Sequence, residues 1–129
     1  MSSKGKAALA KARKLCLALP DATEKEAWGA PTFRVNDRMF AMFVDNHHQD
    51  ERLALWCNYP LDAQRLAVAG DPDNFFVPPY VGKKGWLGVR LDRGLSWDVV
   101  AKIVKQAYLG TAPAKKNDGR RIRSKDARG

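Results

Sequence analysis

Five consecutive apolar residues, Leu53-Ala54-Leu55-Trp56-Cys57, follow a wholly polar stretch from Asp45 to Glu51 and precede Asn58. A strand with so little alternation needs cover on both faces. The rest of the chain supplies candidates for that cover. From Lys4 to Leu19 the apolar residues Ala8, Leu9, Ala12, Leu15, Cys16 and Leu19 recur at helical spacing, with lysines on the other side, which predicts an amphipathic helix ended by Pro20. Near the other end, Ser96 is placed to cap a helix running to about Leu109, apolar at Val99, Val100, Ile103, Val104 and Ala107, with Gly110 as its stop.

Between these helices the pattern is of short strands. Thr23 to Trp28, Thr32 to Val35 and Arg38 to Val44 are rich in aromatic and β-branched residues and are punctuated by Gly29 and Pro31. Asn36-Asp37 reads as a two-residue hairpin turn, because both residues tolerate positive φ. A short helix is expected from Pro60 to Ala69 with Gly70 as its stop, then a loop over 71–85 containing one short extended piece. Trp86 to Leu91 alternates, with Leu87, Val89 and Leu91 on one face and Trp86, Gly88 and Arg90 on the other, which predicts a half-buried strand. The order predicts an α+β fold, an antiparallel sheet packed with N- and C-terminal helices. Beyond Thr111 the only large aliphatic residue is Ile122, so the ordered domain is expected over 1–113 and a basic, disordered tail over 114–129.

The formal net charge of +9 matters less than its distribution. Residues 1–14 hold five Lys/Arg and no acid, residues 111–129 hold seven against Asp118 and Asp126, and residues 15–110 hold eleven against twelve acids. The middle is near neutral, and the basicity lives at the two ends. No run approaches the roughly 20 apolar residues of a membrane span, and no secretory leader is visible, so a cytoplasmic location with no membrane partner is expected. The two cysteines, Cys16 and Cys57, sit among apolar neighbours and read as reduced core residues.

Two stretches carry a family signature: Trp28-Gly29-Ala30-Pro31-Thr32-Phe33-Arg34-Val35, and the run from Phe75 through Pro78-Pro79-Tyr80-Val81-Gly82-Lys83-Lys84-Gly85-Trp86 to Leu91. Together with Leu15 to Pro20 and Ser96-Trp97-Asp98 they resemble the MmcQ/YjbR-like family over about residues 10 to 113. The resemblance implies a frataxin-like (CyaY-like) α+β fold and DNA binding through a double-wing motif. Asn36-Asp37 departs from the more glycine-rich turn of the family.

On the residues themselves, Gly82-Lys83-Lys84-Gly85 is a candidate wing, its glycines permitting a tight reversal and its lysines reaching for phosphates. Trp86 and Arg90, sharing a face with Gly88 between them, offer a flat ring, a cation and a gap for a base or phosphate. Arg34 and Arg38 flank the second turn, although Asp37 and Asp45 weaken their field. Lys115, Lys116, Arg120, Arg121 and Arg123 in the tail would add phosphate affinity without specificity.

The competing expectation is a small-molecule or protein-binding cleft lined by Trp28, Tyr80 and Trp86. His47-His48 lack the one-face spacing of helical zinc sites, and the basic first helix argues against iron handling, so no metal or cofactor is expected. Gly-x-Ser-x-Gly, a phosphate-cradling glycine loop and a Cys with a histidine base are all missing from the sequence, so no enzymatic activity is expected.

Overall fold

The computed structural model describes residues 3–46 and 51–112. His47, His48, the tail residues Arg120, Arg121 and Arg123, and the expected domain boundary after 113 lie outside the described residues. Helix α1 (Ser3–Leu17) leads into β1 (Ala22–Ala27), β2 (Ala30–Val35), β3 (Arg38–Asp45) and β4 (Leu53–Cys57). Helix α2 (Leu61–Gly70), β5 (Phe75–Phe76), a 3-10 turn (Gly82–Lys84), β6 (Leu87–Arg90) and α3 (Trp97–Thr111) follow. The six strands form one antiparallel sheet in the order β1-β2-β3-β4-β6-β5. This is the α+β architecture the sequence predicts.

The turns form for identifiable reasons. Asn36 and Asp37 both adopt positive φ, 51° and 62°, as a two-residue hairpin turn with right-handed strand twist requires. The Ser96 hydroxyl oxygen accepts from the Asp98 and Val99 amides at 3.1 and 3.4 Å, capping α3. Several helix ends differ by one or two residues from expectation: α1 stops at Leu17 rather than Leu19, and α2 includes Gly70. Pro60 is the residue before α2 rather than its first, and α3 continues through Gly110 to Thr111. A lone glycine near a helix end is tolerated when the flanking turns are held by packing, and here Ala107, Tyr108 and Thr111 are all buried.

Both faces of the sheet are core. On the first, Phe33, Phe43, Leu55, Leu87 and Val89 pack against α1 and α3. Helix α1 presents Gly5, Ala8, Ala12 and Cys16 to this layer, small residues at helical spacing that let its backbone lie close to the sheet. Helix α3 contributes Val100, Val104 and Ala107, and its Tyr108 hydroxyl donates to the Pro20 carbonyl at 2.8 Å, tying the ends of both helices together.

On the second face Met42, Val44, Ala54 and Trp56 form a separate apolar cluster with Ala30, Phe76 and Trp86. Among the described residues no helix contributes to it. Its cover comes from Val81 and Trp86 of the 77–86 segment and from Phe76. Every residue of β4 is buried, in keeping with its unbroken apolar run.

Candidate nucleic-acid interface

The lysine pair sits on a fixed turn rather than on an open loop. Lys84 and Gly85 amides donate to the Val81 and Gly82 carbonyls at 3.1 and 3.0 Å, closing one 3-10 turn. Gly85 has φ +105°, and a Cβ there would lie 2.5 Å from the Tyr59 carbonyl oxygen and the Leu61 nitrogen, so only glycine fits. The buried Gln64 amide nitrogen, reaching from α2, donates to the carbonyls of Gly82 at 2.8 Å and Trp86 at 2.7 Å. Both ends of the turn are thereby held to one side chain. Lys83 and Lys84 project from it, exposed, and among the described residues neither has a carboxylate partner.

The second candidate tip shares an end of the sheet with the first. Ala41 of β3 and Leu87 of β6 both pair with Cys57, so the start of β3, just after Asn36-Asp37, and the start of β6, just after the lysine turn, lie at the same end. Arg34 braces its hairpin instead of pointing outward. Its Nε donates to the Thr32 hydroxyl at 3.1 Å, its Nη1 to the Asp37 carbonyl at 3.5 Å, and its side chain is only 15% exposed. Arg38 is exposed and, among the described residues, has no ion-pair partner.

The expected stacking surface at Trp86, Gly88 and Arg90 is not open. Trp86 is 7% exposed and belongs to the second apolar cluster. The gap over Gly88 is filled by the ring of Phe76 from the neighbouring strand. Arg90 forms a two-pronged pair with Asp92, both contacts at 3.0 Å. The alternation assigned these side chains to one face correctly, but that face is covered, so β6 is buried on both sides and not half-buried.

The aromatic cleft also loses Trp86 to the core. Trp28 and Tyr80 are 70% and 76% exposed, both at positive φ. A shallow cavity of about 480 Å³ lies elsewhere, between the start of α2 and α3, lined by Tyr59, Ala63, Gln106 and Leu109 among others. It holds no charged side chain.

The family model YjbR matches residues 17–109. The chain belongs to the YjbR family. A solved crystal structure of a Deinococcus radiodurans protein, described as the domain DUF419, superposes with a TM-score of 0.66 at 21% identity, covering 78% of this chain and 75% of that one. At that identity the likeness establishes the fold. No curated protein matches the chain.

The YjbR match contains the lysine turn, both hairpin arginines and Gln64, and leaves out most of α1. Among the described residues no group of three or more His, Cys, Asp or Glu could hold a metal, and no helix is long and apolar enough to cross a membrane. Both cysteines are free and buried. Burial pushes the Cys16 thiol up to about 12, with Glu24 adding to the shift, and raises Cys57 well above its ordinary value, with Cys16 adding. Neither thiol is an activated nucleophile. The residue that sequence reading missed is Gln64, which lies between Asp62 and Arg65 in α2 and which nothing local distinguishes from those solvent-facing polar positions.

Proposed function

We propose that this YjbR-family chain is a non-enzymatic DNA-binding protein that grips the phosphate backbone through Lys83 and Lys84, with Arg38 at the neighbouring tip and the basic tail adding affinity. The reading rests on one observation: two exposed lysines without carboxylate partners among the described residues, on a turn that Gln64 and Gly85 hold rigid. Lysine is a point charge that positions a backbone without reading bases, so binding driven by counterion release with little sequence preference follows. Trp86, Arg90 and Arg34 have no direct part in this reading, because each is engaged within the fold. A cytoplasmic setting accords with the two free thiols.

The test is duplex binding against salt for the full chain and for Lys83→Ala/Lys84→Ala. Loss of two phosphate contacts lowers the slope of log K against log salt by about 1.8. Substituting the tail bases Lys115, Lys116, Arg120, Arg121 and Arg123 by Gln in the full chain should weaken binding and leave the effect of the turn variant intact. Absence of binding at low salt, or an unchanged slope in the turn variant, rejects the reading.

The exposed rings of Trp28 and Tyr80 support a second reading, in which Trp28 or Tyr80 meets a protein partner. Loss of co-purifying partner on Trp28→Ser with DNA affinity unchanged would separate it from the first.

A further inference from the structure

Within the folded domain the positive charge is concentrated in one layer. Helices α1 and α3 together carry seven Lys/Arg against one acid, Asp98, whereas the remaining described residues carry nine against ten. The two helices pack side by side on the first face of the sheet, and Lys11 Nζ lies 5.5 Å from the centre of the Trp97 ring, bridging them. Lys4, Lys11 and Lys14 follow 7- and 3-residue steps on α1, which places them along one edge, the edge that Lys11 marks as adjoining α3. Lys102 and Lys105 are one turn apart on α3. Arg13 is excluded from this set because it is paired with Glu24 of β1 at 2.6 Å. Among the described residues Lys4, Lys14, Lys102 and Lys105 are exposed and have no carboxylate partner.

We infer that the outer face of α1 and α3, through Lys4, Lys11, Lys14, Lys102 and Lys105, is a second DNA-backbone surface, separate from the lysine turn. The inference rests on the DNA-binding reading above and adds to it a surface whose α1 lysines lie outside the residues the YjbR model matches and whose α3 lysines lie within them. Lys4 to Lys14 spans about 15 Å along the helix, a length of duplex that presents about nine phosphate charges. All five groups are lysines, suited to phosphate positioning and not to bidentate base reading.

The exposed residues of α1 between the lysines are Ala7, Ala10 and the paired Arg13, with Leu17 the one exposed large apolar residue of that helix, and α3 adds Val99 and Leu109, 37% and 55% exposed. A helix that lies in a lipid surface needs a bulky apolar face to insert, whereas these two helices turn their main apolar faces to the sheet and leave isolated apolar side chains outside. Duplex DNA is therefore the occupant the face fits.

The experiment compares full-chain wild type, Lys4→Gln/Lys14→Gln/Lys102→Gln/Lys105→Gln and Lys83→Ala/Lys84→Ala on two unrelated duplexes across salt. Lys11 is left in place so that its contact with Trp97 is kept. The quadruple variant should lower the slope of log K against log salt by about 3.6, equally on both duplexes, with the turn lysines present. The corresponding four Lys→Arg substitutions should restore binding, which a folding defect would not allow. A quadruple variant with unchanged slope, beside a turn variant that loses binding, overturns the helix surface and leaves the DNA reading standing. Lack of binding by wild type rejects both. Binding to vesicles containing phosphatidylserine that depends on these lysines, with DNA affinity unaffected, also overturns the proposal.

Discussion

The ring of Phe76 occupies the space over Gly88 in the paired strand, where an added Cβ would lie 2.5 Å from Cε2 and 2.6 Å from Cε1. The glycine and the ring are one packing unit, and the Arg52 guanidinium carbon lies 4.1 Å from the centre of that ring. Gly88→Ala should destabilise the fold by about 1–3 kcal/mol, the usual cost of overpacking. Shrinking the ring with Phe76→Leu in the same chain should return part of that loss, so that the double variant is more stable than the sum of the single effects predicts. Urea denaturation of the four chains checks it, and strict additivity would sink the idea that the two residues compete for one space.

Gln64 is the side chain through which helix packing reaches the lysine turn. Gln64→Leu leaves the Trp86 carbonyl without this donor and the Gly82 carbonyl with only the Gly85 amide. The expected cost is about 1–3 kcal/mol, with faster amide exchange at residues 82–86. Under the proposed function the same variant weakens DNA binding although no charge has changed. Hydrogen exchange read residue by residue, beside a salt titration, decides this. A loosened turn with undiminished DNA affinity would mean that rigidity there is structural only.

How far the sequence reveals the molecule can be seen at three residues. Asn36 and Asp37 announce their turn because their positive φ is a local property of the residue type. Trp86 is assigned to its face by the alternation of its own strand, yet its burial is decided by Phe76 and residues 77–86, a segment of prolines and glycines with no periodicity to read. Gln64 is further out of reach, since its hydrogen bonds span 18 and 22 residues and its helix presents no other buried residue to flag it. The strands, helices and first core were legible because periodicity is local. The cover of the second face, and with it the fate of the expected stacking surface, depends on contacts between segments.

The two cysteines should be silent toward thiol reagents in the native protein. Cys16 is pushed up to about 12 and Cys57 well above its ordinary value, chiefly by burial, so the thiolate that attacks is scarce and inaccessible at neutral pH. A disulfide-exchange reagent at pH 8 should label neither at a rate faster than global unfolding, and both in denaturant. Rapid native labelling of either would show that the first core opens locally around α1 or β4.

Asp92 makes stability dependent on acid. Burial alone would raise its carboxyl, but the two-pronged pair with Arg90 and backbone hydrogen bonds at Asp92 and Leu53 outweigh that and hold it below the ordinary carboxylate value. A carboxyl whose folded pKa is depressed adds stability that is present above the unfolded value, about 3.9, and is lost as pH falls through the folded one. Asp92→Asn should therefore be less stable than wild type at pH 7, and the gap should narrow below about pH 4 as the wild-type carboxylate takes up its proton. Denaturation midpoints for both chains from pH 7 to pH 2 provide the comparison. A gap of constant size across that range would mean that the contribution of Asp92 comes from shape and neutral hydrogen bonding, and that its charge pair with Arg90 adds nothing to the fold.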